Sequence, residues 1–177
     1  MPDRYTILWF DPGAWTGWAI VRLSPAYLLP YFAGDPPLIS EHVSSSDWNC
    51  GTYIDTPMAN MDKMVEQILR WPDAIVGTED FTLHKPNLAG RESVLPIGIN
   101  FALEYLMRRI GRRLWYQMPG EKDTFTPERL RRGGYWREGM GTKLGTHGQE
   151  ALSHAFKWIS DCSSTPAYRE ALISKPQ

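Results

Sequence analysis

Residues 5–23, YTILWFDPGAWTGWAIVRL, decide how the rest of the chain is read. Ile7-Leu8-Trp9-Phe10 is an apolar run that stops at Asp11, and after Pro12, Gly13 and Gly17 a second apolar run extends from Trp18 to Val21. Two apolar runs around a glycine-containing turn predict antiparallel strands joined as a hairpin. The first run hardly alternates, as in a strand covered on both faces. A carboxylate at the end of such a strand is costly unless it is paired, solvated or bound to a metal. Asp before Pro and Gly is also a common turn former. The stretch therefore leaves two readings for Asp11, a turn former and a ligand for a divalent cation, and partners further along must choose between them.

A chain of 177 residues is long enough for one domain with a substantial core, expected to span 1–177. It is 42% hydrophobic with eight Trp, a globular rather than disordered composition. No apolar run approaches a membrane span, and MPDRYTILWF lacks the basic start and long apolar segment of a secretory signal. The expected setting is the cytoplasm. Cys50 and Cys162 suit a reducing compartment and suggest neither a disulfide framework nor a zinc site. The formal net charge of −1 hides an asymmetry. Residues 1–83 carry 4 Lys/Arg against 11 Asp/Glu, and residues 84–177 carry 15 against 9. The basic excess lies between Arg108 and Lys143, with 10 basic against 4 acidic residues, and hints at a polyanionic partner; the plainer alternative is a set of solvated basic faces.

Beyond the hairpin, residues 24–37 read as a Pro- and Gly-rich loop, 38–43 as a third strand and 44–51 as irregular. Asp55 or Thr56 can cap a helix that carries Pro57 in its first turn and ends before Trp71-Pro72. Its stripe of Met58, Met61, Met64, Val65 and Ile68 reads as core packing. Ala74-Ile75-Val76 is a short buried strand that again delivers acid, Glu79-Asp80, at its end. A helix between two such strands makes a β-α-β unit, whose strands are normally parallel neighbours, so the acids of both would emerge at one sheet edge. Alternation lets only one of Glu79 and Asp80 point inward, and Glu79 is the choice, with Asp80 in reserve. The polar loop 82–93 holds Lys85 and Arg91 and is a candidate substrate contact beside that edge. Val94–Ile110 reads as a helix apolar on more than one face, one side of which a second subunit could cover. A fifth strand follows over 114–118. In 126–137, Arg129, Arg131 and Arg132 are interleaved with Gly133, Gly134, Tyr135 and Trp136, a mixture suited to phosphates and exposed bases. The last helix is expected to begin at Thr146, which stands in capping-box spacing with Gln149. His147, Glu150 and His154 share one of its faces. A His and an acid one turn apart can hold a metal ion, although periodicity alone favours a solvated polar face.

The segments DPGAWTGWAIV (11–21), IVGTEDFTL (75–83), YQMPGEKDTFTPERLRRGGYW (116–136) and HGQEALSHAF (147–156) together resemble the RuvC-like Holliday junction resolvases, particularly the short bacteriophage-type members, within the RNase H-like superfamily. The resemblance covers most of the chain and rests on the order and spacing of all four segments. It implies an α/β RNase H-like fold, with a five-stranded mixed sheet of antiparallel hairpin strands plus parallel strands, flanked by helices. It implies Asp11, Glu79 and Glu150 as metal ligands for two Mg²⁺ ions, with Mn²⁺ as a substitute, and His147 as a ligand or proton carrier. It matches Lys122 to a phosphate-contacting lysine and implies a homodimer built through the helix after the second catalytic strand. Glu150 departs from the family's usual Asp at that place, which retains the charge and adds a methylene.

On this basis the expected activity is a Mg²⁺-dependent, structure-selective endodeoxyribonuclease acting on four-way junctions and other branched DNA in recombination and repair. Lys85, Arg91, Lys122, Arg129, Arg131 and Arg132 are its candidate DNA contacts. The alternative is a catalytically weak or inactive junction-binding protein of the same fold, which Glu150 keeps open. An actin-like ATPase also opens with an Asp-x-Gly hairpin but needs two lobes, more than 177 residues provide. A proofreading-type exonuclease would show Asp-x-Glu where this chain has Asp11-Pro12-Gly13.

Overall fold

The computed structural model describes residues 4–24, 26, 43–81, 91–162 and 164–173, without the side chains of 91–93 and 173. β1 (Tyr5–Asp11) and β2 (Thr16–Leu23) form the expected hairpin, with Asp11 opposite Gly17. β3 (Trp48–Tyr53) extends it antiparallel. Helix α1 (Pro57–Arg70) leads to β4 (Ile75–Glu79), which lies parallel to β1, with Phe10 opposite Thr78. Helix α2 (Arg91–Arg109) leads to β5 (Leu114–Gln117), parallel to β4. A 3-10 helix (Pro119–Phe125), α3 (Pro127–Arg132), α4 (Thr146–Asp161) and α5 (Pro166–Ile173) complete the chain. The sheet order is β3-β2-β1-β4-β5.

Two cores cover the two faces of this sheet, and strand alternation sorts residues between them. Leu8, Phe10, Val76 and Leu114 pack with Met64, Ile68, Leu103 and Met107 of α1 and α2. Ile7, Trp9, Ile75 and Trp115 pack with Leu152, Phe156, Trp158 and Ile159 of α4. The odd-numbered residues of β1, β4 and β5 thus face α4. Asp11, Glu79 and Gln117 are odd-numbered and stand at the strand ends, so all three emerge beneath that helix.

Several local expectations change. The strand expected over 38–43 lies outside the described residues except for Val43, which is buried and in no strand, and β3 forms in the stretch read as irregular. Its polar residues pair because β2 offers an open edge beside it, a tertiary cause that propensity does not contain. Thr56 caps α1 by accepting from Ala59 N at 3.3 Å, but Met58 is 73% exposed and the buried positions are Asn60, Met64 and Ile68. Asn60 Nδ2 donates to Ala14 O, Tyr53 O and Asp55 O, and its Oδ1 accepts from Asp55 N, so one amide ties the hairpin turn to the ends of β3 and α1. Thr146 does not cap α4. Gly145 is the N-cap, and the Thr146 hydroxyl donates back to Thr142 O at 2.8 Å.

The start of α4 rests directly on the hairpin. A Cβ on Gly17 would lie 2.0 Å from His147 O, and a Cβ on Gly148 would lie 2.7 Å from Gly51 O. Gly148 N also donates to Thr52 Oγ1 at 3.2 Å. Only side chains without a Cβ permit this approach, which delivers His147 and Glu150 to the end of β1. Gly17→Ala must push the backbone of α4 away from the sheet. It should cost about 1–3 kcal/mol in urea melts and weaken divalent-cation binding; unchanged stability and binding would show that the close approach is dispensable.

Candidate metal centre

Asp11 is only 3% exposed and lies at the end of β1. His147, in the first turn of α4, donates from Nδ1 to Asp11 Oδ2 at 2.8 Å. Glu150, one turn on, joins them: ligand atoms of Asp11, His147 and Glu150 all lie within 4.8 Å of one another. Glu79 is 2% exposed and stands beside this trio rather than within it. Its Oε2 accepts from His154 Nε2 at 3.0 Å and from Lys122 Nζ at 3.3 Å. Lys122, on the 3-10 helix, also pairs with Glu150 Oε2 at 3.2 Å, so its ammonium bridges the two glutamates. Glu150 is turned toward the cluster, not away from it.

His154 corrects the expectation of a solvated face on α4. It is fully buried, and its ring stacks on Trp9 at 6.1 Å and 13°. Trp9 has room because Gly77 faces it: a Cβ on Gly77 would lie 2.2 Å from the Trp9 ring. The Gln117 amide, oriented to satisfy its neighbours, donates to His154 O (3.0 Å) and Nδ1 (2.9 Å) and accepts from Trp158 N (3.1 Å). This leaves the proton of His154 on Nε2, aimed at Glu79. Sequence reasoning found His154 but gave it no role, and missed Gln117; an apolar-stripe count cannot detect a polar residue buried against another polar residue. Asn100 of α2 was also missed. Its Nδ2 donates to Glu79 O at 2.8 Å and its Oδ1 accepts from Thr78 at 2.9 Å, fixing the end of β4. Asp80 falls on the opposite face from Glu79, where its charge acts on Tyr116.

Burial sets the electrostatics. It raises the Asp11 carboxyl to about 7 from 3.8, against the pull of the His147 hydrogen bond and with added repulsion from Glu79 and Glu150. The hydrogen bond to Asp11 raises His147 above its ordinary value, although burial opposes it. Burial would also raise Glu79, but the His154 hydrogen bond and the Lys122 charge outweigh it and hold Glu79 below the usual range. For Lys122, burial disfavours the ammonium, and the charges of Glu79, Glu150 and Asp11 more than offset that. The cluster is therefore short of positive charge at Asp11. Its donors, carboxylate oxygens and one imidazole, fit a hard divalent cation such as Mg²⁺ or Mn²⁺.

The other expected contacts are scattered. Lys85 lies outside the described residues, as does the side chain of Arg91. Arg129 donates to Thr124 O at 2.9 Å and covers Phe125, Arg131 lies over Trp136, and Arg132 is exposed. Arg137 is engaged internally, donating to Asn49, Ser45 O and Trp48 O.

No protein-family model and no curated protein matches the sequence. Solved structures do match. Thermus thermophilus RuvC in complex with a Holliday junction substrate has a TM-score of 0.55 and 12% identity, over 89% of this chain and 94% of that one. A second Thermus thermophilus RuvC structure matches with the same score and identity over 97% and 99%. The fold is that of RuvC. This is the RNase H-like architecture that the four sequence segments implied, and at 12% identity it is the architecture alone that the match with RuvC carries.

The pH dependence of the centre follows from Asp11. Its folded-state value, about 7, lies above the ordinary 3.8, so the metal-free fold loses stability as pH rises across that window, and His147, raised by its bond to Asp11, extends the loss above 6.5. A divalent cation must displace the same proton. Mn²⁺ affinity measured by calorimetry should therefore rise from pH 5.5 through about 7 as Asp11 and then His147 give up their protons; an affinity flat across this range would contradict the assignment.

Proposed function

We propose that this protein is a divalent-metal-dependent, structure-selective endodeoxyribonuclease acting on four-way junctions and related branched DNA. The observation that carries the reading is the convergence of Asp11, Glu79, His147 and Glu150, drawn from three distant segments, at the strand ends of a RuvC-like fold. Asp11 and Glu150, with Glu79 alongside, would hold Mg²⁺ or Mn²⁺, two ions by analogy with the family. When bound, such ions supply activation of water and neutralise charge on the leaving oxygen.

The chain's own groups perform the remaining work. His147, hydrogen-bonded to Asp11, is placed to serve as a ligand or to carry a proton at Nδ1. Lys122 is free to turn from the glutamates to a phosphate oxygen once cations occupy them, and its raised value keeps it charged for that contact. His154 and Gln117 hold Glu79 in place from behind. By family analogy the products carry 5′-phosphate and 3′-hydroxyl ends. Arg131, Arg132, Lys85 and Arg91 would bind backbone with little sequence reading, in the cytoplasm.

A homodimer fits the outer face of α2. Val94, Phe101 and Tyr105 are 47%, 73% and 68% exposed and fall on one stripe with Gly98. The exposed apolar stripe supports a subunit interface on this face.

One observation favours a second reading, a junction binder with weak or no cleavage: Glu79 is held by His154 and Lys122 outside the ligand trio, and Glu150 is longer than the family's usual Asp. Cleavage of a labelled four-way junction in Mg²⁺ decides between them. The wild type should cut and Asp11→Asn should fall to background. Binding without cutting even in Mn²⁺, with cutting gained in Glu150→Asp, would favour the second reading. For the interface, Phe101→Glu should convert a dimer to a monomer in sedimentation analysis; a wild type already monomeric at all concentrations would remove the dimer from the account.

A further inference from the structure

A cleft of about 480 Å³ opens beside the carboxylate cluster, between the 3-10 helix and α3 on one side and the start of α4 on the other. It shares Lys122 and Glu150 with the cluster, so whatever enters it lies next to the candidate metal centre. Its size falls within the roughly 300–1,000 Å³ of small-molecule sites.

Asp123 and Glu128 also line the cleft, and Glu128 pairs with Arg131 at 3.7 Å. Trp136 lines it, with the Arg131 guanidinium 3.9 Å from the ring centroid. Such a flat cation–aromatic pair is a platform on which any base can stack. Gln149 also lines the cleft and is 7% exposed, yet its side-chain amide has no hydrogen-bond partner among the described residues. The amide faces the cleft uncommitted, so a ligand there can pair with it without breaking a bond within the protein. Glutamine offers a donor and an acceptor side by side, the complement of a base edge.

We propose that this cleft is a nucleotide subsite. An unpaired deoxynucleotide flanking the scissile phosphate enters it, the base joins the Trp136–Arg131 stack, its edge pairs with Gln149, and its phosphate stays at Lys122. The occupant is unpaired because an edge bonded to Gln149 and a ring stacked within a walled cleft leave no room for a complementary base. Branch points supply such nucleotides at lower cost than continuous duplex. The subsite gives the enzyme a reason to prefer branched DNA that backbone contacts alone do not provide. This inference rests on the nuclease reading and deepens it.

The test is a cycle between protein and DNA. Four-way junctions are made with single abasic residues at positions scanned across the branch point and either side of the cut. Wild type should lose about tenfold in cleavage rate at one flanking position, the scale of one stacked base. Trp136→Ala should be slower on the intact junction and lose nothing further with the abasic one, whereas Trp136→Phe should regain the sensitivity. If Trp136→Ala does not fold by circular dichroism, Arg131→Ala and Gln149→Leu run the same cycle. The cycle is repeated as fluorescence anisotropy in Ca²⁺, which needs no turnover. If wild type leaves the intact junction uncut, the nuclease reading has failed and the binding cycle alone decides the subsite. Indifference of wild type to every abasic position, or equal sensitivity in wild type and the folded variants, overturns the subsite.

Discussion

Like charge gathered out of water is the constraint on which this molecule turns. Asp11, Glu79 and Glu150 come from positions far apart in sequence and meet where two of them are almost wholly buried. Isolated carboxylates would not stay ionised there. Lys122 between the glutamates, His147 on Asp11 and His154 on Glu79 supply the partial compensation that lets the cluster exist. The compensation is incomplete at Asp11, whose carboxyl is raised to about 7. A hard cation is a ligand whose charge and donor preference match this cluster.

The fold meets that constraint by geometry rather than by strong local bonds. Strand alternation puts Asp11, Glu79 and Gln117 on one face at one edge, and close glycine contacts bring α4 onto that face. Behind the acids lies a second layer: Asn60 locks the hairpin turn, Asn100 locks the end of β4, and the Gln117–His154 pair locks the Glu79 side chain. These amides and rings are buried with their polar groups matched, which fixes side-chain direction at the cluster. A site assembled on strand ends and supported in this way keeps its donors in place without relying on loops.

Much of this was legible in the sequence. The hairpin, the β-α-β step and the acid at each strand end all follow from apolar runs that stop abruptly, and alternation limits the inward acid to one of Glu79 and Asp80. What was not legible shares one cause, which is that tertiary neighbours decide it. Residues 48–53 carry no strong strand signal and pair because β2 has a free edge. The helix face bearing His147, Glu150 and His154 looks solvated by periodicity, yet α4 is covered almost all round because the sheet, the 3-10 helix and α3 close over it. Asn60 and Asn100 look like surface residues until their partners, 46 and 21 residues away in sequence, are in place. Resemblance to the resolvase pattern supplied the link among the acids that periodicity could not, and the RuvC architecture agrees with it.

The most direct test of the central claim is an anomalous difference map at the manganese edge, from crystals of the protein equilibrated with Mn²⁺ at pH 8. The account predicts density within about 2.0–2.4 Å of carboxylate oxygens of Asp11 and Glu150, with the Lys122 ammonium displaced from between the glutamates. A map with no peak at this cluster, and Lys122 still bridging Glu79 and Glu150, would contradict it.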